Sequence, residues 1–152
     1  MKFSELQINA ADGTLLFVRH HIPEESHGLV VVVHGFAEHC GRYDEMARFF
    51  AARGLSTFLF DLRGHGRSGG TRSYISSFEE YVADLAVVAK RATEMTGSEK
   101  FLLLGHSMGG LIAAHFAGRR EGVLRGLVLS SPFIGFAMKV PAVKAAAGKV
   151  MS

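Results

Sequence analysis

The stretch Phe101-Leu102-Leu103-Leu104-Gly105-His106-Ser107-Met108-Gly109-Gly110 decides how this chain folds. Its aliphatic run over residues 100–104 predicts a buried strand, and residues 108–117 predict a helix that ends at Gly118. Ser107 lies between them in the pattern G-x-S-x-G, which gains meaning from this strand-to-helix context. Because the turn is so tight, larger side chains two residues either side of Ser107 would collide. We therefore expect Ser107 to have a strained backbone at the tip of the strand.

The sequence on both sides of this turn alternates between predicted strands and helices. The first two strands surround an Asp12-Gly13 turn and predict a hairpin, and Ser77 to Glu80 predicts a capping box before the longest helix. Strands joined by helices of this length lie parallel, with helices on both faces of the sheet. We therefore predict an α/β fold with a mostly parallel sheet. The predicted strands are 5–9, 15–21, 29–33, 55–60, 100–104 and 123–129, and the predicted helices are 44–53, 78–95 and 108–117.

Composition excludes several classes of protein. The 152 residues are 48% apolar with a net charge of +3, which excludes disorder, and one cysteine, Cys40, excludes a disulfide scaffold. Apolar runs are too short for a membrane span, and the first five residues lack the apolar segment of a secretion signal, so we expect a cytoplasmic protein. Basic residues form no run of five or more, so we expect no nucleic-acid partner. Residues 108–152 carry six basic residues against one acid, and this end could face an anionic membrane.

Three loops rich in Gly and His follow predicted strands, over residues 34–39, 61–68 and 105–110. In parallel sheets, ligands bind beyond the carboxyl ends of the strands, so these loops form the candidate site. Ser107 is the candidate catalytic nucleophile. A serine also needs donors for the oxyanion, and the backbone N–H groups of Phe36 and Met108 are the candidates.

A base for Ser107 is hard to find in the sequence. After Ser107 there is no Asp, and the only acid and the only histidine are Glu121 and His115. His115 lies about 12 Å along the predicted helix, and Glu121 is predicted at the wrong end of the sheet. His106 should point to the opposite face of its strand.

Two interpretations of this gap stay open. A histidine on the correct edge (His34, His39 or His65) could substitute as the base, although no acid is clearly placed to orient it. The simpler interpretation is that the chain is incomplete, because four strands beyond the hairpin are too few to surround the site.

The three loops together resemble a known group, the α/β-hydrolases of the monoacylglycerol lipase and lysophospholipase type. Residues 34–43 are similar to its H-G-x-x-E-H-x-x-R-Y segment, 61–68 to its D-x-R-G-H-G-x-S loop, and 105–110 to its G-H-S-M-G-G elbow. The resemblance implies an α/β-hydrolase fold truncated before the C-terminal strands. It implies Ser107 as nucleophile, the Phe36 and Met108 amides as oxyanion hole, and no metal or cofactor.

The resemblance also implies a division of the chain and a function. Residues 1–132 would be the N-terminal part of the hydrolase core, and 133–152 the start of a cap that in this group is apolar and touches membranes. The catalytic Asp and His would lie on later loops. The implied function is a serine hydrolase that cleaves lipid esters, monoacylglycerol or lysophospholipid, through an acyl-enzyme on Ser107. The alternative is a non-catalytic truncated module that keeps a lipid-binding pocket.

Other residues of the matching segments receive structural interpretations first. We expect four polar residues of the second loop to brace it, and four of the first loop to form a buried polar bracket behind Phe36. His34 should be a hydrogen-bonded structural residue. Cys40 should be a small, partly buried side chain, and the two phenylalanines of the first helix should belong to the core. The bracing residues are Asp61, Arg63, His65 and Arg67, those of the bracket are Glu38, His39, Arg42 and Tyr43, and the phenylalanines are Phe49 and Phe50.

Overall fold

The computed structural model describes residues 3–120 and 122–135 of the chain. Strands and helices alternate within them much as the sequence predicts. A short 3-10 helix over Cys40–Tyr43, which the sequence analysis did not predict, leads into the first α-helix. The strands are β1 Ser4–Asn9, β2 Leu15–His21, β3 Gly28–Val33, β4 Leu55–Phe60, β5 Phe101–His106 and β6 Leu124–Ser130, and the α-helices are α1 Asp44–Ala51, α2 Phe78–Thr96 and α3 Met108–Ala117.

The six strands form one sheet in the order β1-β2-β4-β3-β5-β6. The strands from β3 to β6 pair in parallel, whereas β1 and β2 form an antiparallel hairpin that joins the sheet beside β4. Gly13 has a φ of +85° in the hairpin turn, and Asp12 accepts a hydrogen bond from the Thr14 N–H at 3.0 Å. The prediction of a mostly parallel α/β sheet with an N-terminal hairpin is confirmed.

Both faces of the central sheet are covered. In β3, Val31 and Val33 pack in the core cluster that contains residues of α2 and α3, whereas Val30 and Val32 pack with Ala47 of α1 on the other face. A strand that buries both faces consists almost wholly of aliphatic residues, as the sequence of β3 does. The predicted helices on both faces are confirmed.

The start of α2 differs from the predicted capping box. Ser77 does cap the helix by accepting a hydrogen bond from the Glu79 N–H. In a capping box Glu80 would reach back to the Ser77 N–H. Its carboxylate instead accepts hydrogen bonds from Arg63 and from the Ser76 hydroxyl. The capping-box prediction was therefore half wrong, because a buried arginine competes for the glutamate.

Within the described residues, the β6 edge of the sheet pairs with no further strand. Leu127, Val128 and Leu129 of β6 are 36–49% exposed, unlike the buried aliphatic residues of β3. Glu121 and most of the predicted cap, residues 136–152, lie outside the described residues, so their predicted places stay predictions. No helix of the described ranges is long and apolar enough to cross a membrane.

Candidate active site

Ser107 joins β5 to α3 in a strained conformation. Its φ is 52° and its ψ is −118°, a backbone conformation that residues other than glycine rarely adopt. The Ser107 N–H donates to the Ser130 carbonyl at 3.0 Å, and the Ser107 carbonyl accepts from the Phe133 N–H at 2.9 Å and the Gly110 N–H at 3.0 Å. These bonds hold the serine between the start of α3 and the carboxyl end of β6. The predicted strained turn is confirmed.

Glycines at 105 and 109 let the elements of this turn approach closely. A Cβ atom at Gly105 would collide with the carbonyl of Gly109, and one at Gly109 would collide with the carbonyl oxygens of Val33 and His34. The predicted steric conflict is therefore confirmed, although at Gly109 the obstacle is the end of β3. This contact fixes the start of α3 against the strand that leads into the loop at 34–39.

That loop lies directly beside Ser107. A Cβ atom placed on Gly35 would be 3.2 Å from the Ser107 Cβ atom, so the backbone of the loop touches the serine. Ala37, two residues on, has a φ of 56°, and Phe36 between them is 57% exposed. The hydrogen bonds of the described residues include none donated by the N–H groups of Phe36 and Met108, so both groups are free to donate to a ligand.

His34 fixes the first part of this loop. Its Nδ1 lies 2.7 Å from the Gly35 carbonyl oxygen, which only accepts, so Nδ1 carries the proton. Its Nε2 accepts from the Leu62 N–H at 3.0 Å. Burial lowers the pKa of His34, and the ring is therefore neutral at pH 7. The predicted structural role of His34 is confirmed.

The polar bracket behind the loop is present but is not buried as a whole. Glu38 accepts hydrogen bonds from the Gly35 N–H and the Tyr43 hydroxyl and pairs with Arg42. Arg42 and His39 are exposed, whereas Glu38 and Tyr43 are half-buried. The prediction that this group is buried was therefore wrong for His39 and Arg42, because such side chains keep their polar ends in water.

The loop at 61–68 is braced as predicted around Asp61. This buried carboxylate accepts from the Cys40 N–H at 2.6 Å and from the Arg67 N–H at 2.7 Å. It thereby ties the loop to the 3-10 helix behind the first loop. Burial, together with nearby Asp61, raises the pKa of the Cys40 thiol, which is 3% exposed. Cys40 is therefore an inert side chain, as predicted, although it is fully buried in the core and not partly buried.

Arg63 anchors the same loop to α2. Its guanidinium makes two hydrogen bonds of 2.7 Å to Asp84 in α2 and further ion pairs with Asp12 and Glu80. Burial acts to raise the pKa of Asp84, and the bonds from Arg63 act against that rise. This cluster is structural, since its members satisfy one another.

His65 lies beneath Phe36. The two rings meet edge to face with centroids 5.6 Å apart, and His65 is 4% exposed. Its Nδ1 lies 3.0 Å from the Arg63 carbonyl oxygen, so the loop at 61–68 supports the loop at 34–39 through this ring. The sequence predicted bracing by His65 but not its contact with Phe36.

No histidine of the described ranges, 3–120 and 122–135, is hydrogen-bonded to Ser107. His34 and His65 bond backbone groups, as above, and Nδ1 of His106 lies 3.1 Å from the Ser130 carbonyl oxygen. The exposed ring of His115 packs on Phe78 of α2. The described residues therefore bring Ser107 and the loop that carries Phe36 together, without a histidine hydrogen-bonded to the serine.

One predicted core residue is not buried. Phe49 is 53% exposed and carries the Arg53 guanidinium 3.6 Å from its ring centroid, whereas Phe50 packs partly against the core. The helical period puts only one of two adjacent residues on the inner face of α1. The core interpretation was therefore wrong for Phe49 and right for Phe50.

A mostly parallel sheet with a buried strand that leads through a strained serine into a helix is the arrangement of an α/β-hydrolase. The chain belongs to the Hydrolase_4 family, described as serine aminopeptidase, S33, which matches it over residues 24–152. It is 43% identical over 126 residues to the monoglyceride lipase of Homo sapiens and 40% identical over 124 residues to the monoacylglycerol lipase of Mycolicibacterium smegmatis. These alignments cover 82% of this chain, and 41% and 44% of the relatives.

Solved structures agree with this assignment. The chain superposes on the monoacylglycerol lipase of Paleococcus ferrophilus with a TM-score of 0.71 and 31% identity, covering 99% of this chain and 51% of that one. A structure of DcsB with its substrate analogue gives a TM-score of 0.87 at 22% identity, which shows the shared fold alone. The chain thus spans less than half the length of the two curated relatives and about half of this lipase structure.

Proposed function

We propose that this chain carries the nucleophile and the oxyanion hole of a serine hydrolase that cleaves carboxylic esters of lipids, with monoacylglycerols or lysophospholipids as substrates. The observation that carries the proposal is the backbone of Ser107, held at a φ of 52° beside the loop at 34–38. Such strain costs about 1–3 kcal/mol and persists where function requires it. The names of the lipase relatives support the substrate class.

In this mechanism the Ser107 hydroxyl attacks the ester carbonyl and its proton passes to a base. The tetrahedral oxyanion would receive hydrogen bonds from the Phe36 and Met108 N–H groups, and the N-terminus of α3 adds a favourable dipole. Collapse expels the alcohol, which takes the proton from the base, and leaves an acyl-enzyme that water then hydrolyses. Loss of one oxyanion donor raises the barrier by about 3–4 kcal/mol.

The proposal requires a histidine and an acid from outside the described residues. Support comes from length, since this chain spans 41–44% of the two lipase relatives compared above. We keep two further predictions with it. Residues 133–152 would begin a cap over the acyl pocket. The protein would be cytoplasmic, and the cap would give it a peripheral contact with membranes.

The test compares the protein as the cell makes it with its Ser107→Ala variant. A fluorophosphonate probe should label the protein at one residue, and monoacylglycerol should be hydrolysed. Ser107→Ala should abolish both without changing the circular dichroism spectrum. Ser98→Ala is the matched control, because Ser98 precedes β5 and lies at the end of that strand opposite to Ser107. Labelling or turnover that survives in Ser107→Ala would overturn the proposal.

Two other functions have an observation in their favour. The family description favours an aminopeptidase, which the same protein would show by cleaving amino-acid anilides in preference to monoacylglycerol. The absence of a histidine bonded to Ser107 among the described residues favours a non-catalytic binding module. A protein that binds lipid but neither labels with the phosphonate nor turns over ester would be such a module.

A further inference from the structure

The carboxylate of Glu38 lies inside the turn that carries Phe36. One of its oxygens, Oε2, accepts from the Gly35 N–H at 2.9 Å and from the Tyr43 hydroxyl at 2.9 Å. The other oxygen lies 3.0 Å from Arg42 Nη1. The Glu38 side chain is only 14% exposed. Its three partners come from the loop itself and from the 3-10 helix that follows, so the carboxylate closes the turn upon itself.

This position is next to the nucleophile. A Cβ atom on Gly35 would lie 3.2 Å from Glu38 Oε2 and 3.2 Å from the Ser107 Cβ atom. The carboxylate and the serine therefore both lie against the same glycine. Any rotation of the Gly35 backbone would change the contact with both.

Glu38 and His34 together determine the direction of the Phe36 N–H. That N–H and the Gly35 carbonyl belong to one planar peptide unit, and His34 holds the carbonyl end. Glu38 holds the Gly35 N–H, which belongs to the preceding peptide unit. With both units fixed, Gly35 cannot rotate, although glycine is the most flexible residue. Ala37 at a φ of 56° shows that the turn is held in a conformation it would not choose alone.

A carboxylate this close to a developing oxyanion would oppose it unless its charge were compensated. Partial burial by itself would raise the pKa of Glu38, but the bonds from Gly35 and Tyr43 and the charge of Arg42 lower it below its usual value. Glu38 is therefore ionised at neutral pH. The same groups that keep it ionised disperse its charge, and the turn gains a strong acceptor without a bare anion at the site.

From this arrangement we infer that Glu38 is a positioning residue for ester hydrolysis, which holds the Gly35–Phe36 backbone so that the Phe36 N–H can bind the oxyanion. The inference rests on the proposed function. It assigns to Glu38 a task beyond stabilising the fold, because a donor must be aligned in the transition state to lower the barrier.

The experiment measures kcat and KM for monoacylglycerol hydrolysis in the protein as the cell makes it. Glu38→Ala should lower kcat about 10- to 100-fold, with KM within about twofold, because a misaligned donor is lost in the transition state and not in substrate binding. The rate of fluorophosphonate labelling at Ser107 should fall in parallel. Glu38→Gln should recover much of kcat, since an amide oxygen can still accept from the Gly35 N–H. Tyr43→Phe should lower kcat less than Glu38→Ala does.

The matched control is Glu45→Gln, which removes the same charge from an exposed residue in the first turn of α1 and should leave kcat unchanged. Unchanged kcat in Glu38→Ala, or a change that raises KM alone, would overturn the inference. Labelling and turnover of the parent protein would then still support the proposed function. If Glu38→Ala does not fold, full kcat in Tyr43→Phe overturns the inference, because that variant removes a hydrogen bond that holds the Glu38 carboxylate in the turn. A parent protein that neither labels nor turns over ester overturns both.

Discussion

β5 and β6 lie side by side in the sheet, and their surroundings differ. Leu103 of β5 and Leu127 of β6 are register partners, yet Leu103 is fully buried and Leu127 is 37% exposed. β5 is enclosed by β3, α2 and α3, whereas β6 has one neighbouring strand among the residues that the structure describes. The difference shows that the strand leading into Ser107 is enclosed, while β6 exposes apolar side chains within the described residues.

The largest effect should come from the same substitution on the two partner strands. Leu103→Ala removes fully buried atoms and should cost about 2–5 kcal/mol in the free energy of unfolding. Leu127→Ala shortens a side chain that is 37% exposed, and it should lower the free energy of unfolding by less than about 1 kcal/mol. Urea unfolding of the polypeptide of residues 1–152 measures both. Equal costs would show that β6 is covered in solution and would break the comparison.

The turn around Ser107 should lose stability on substitution of Gly109, whereas Gly118 at the other end of α3 should tolerate a substitution. In Gly109→Ala the new methyl group meets the carbonyl oxygens at the end of β3, so α3 must move, at a cost of about 1–3 kcal/mol. Gly118 at the end of α3 has a φ of −67° and room for a Cβ atom, so Gly118→Ala should stabilise the protein by about 0.4–1 kcal/mol. Thermal unfolding of both variants is the measurement. A neutral Gly109→Ala would mean that α3 is not pressed against β3.

The smallest effect concerns chemistry on the enclosed side. Because burial raises the pKa of Cys40, its thiol should stay neutral and should not react with iodoacetamide at pH 8 in the folded protein. The same thiol should react fully once guanidinium unfolds the chain, which is the control for the reagent. Reaction at equal rates in the folded and unfolded protein would show that the region between Asp61 and the 3-10 helix opens readily.

Sequence reasoning succeeded where chemistry and spacing restrict a local conformation. The aliphatic residues of β3 could form only a strand buried on both faces, and G-x-S-x-G between a strand and a helix left Ser107 one conformation. It failed where two groups compete for one partner. Glu80 is in the right place for a capping box, but Arg63, which lies 17 residues earlier, takes its carboxylate. Phe49 and Phe50 look alike in sequence, and only the orientation of α1 decides which one is buried.

The candidate site divides in the same way. The amino-acid sequence by itself determined the strained turn at Ser107 and the glycines around it, because steric limits at a tight turn act over a few residues. The two backbone donors stay a prediction. Only the tertiary structure placed the Gly35 backbone against Ser107, Glu38 in the turn, and His65 under Phe36. It also decided that β6 is the last strand of the sheet in the described part of the chain. These contacts join loops that are distant in the chain, and the order in which strands pair in the sheet brings them together.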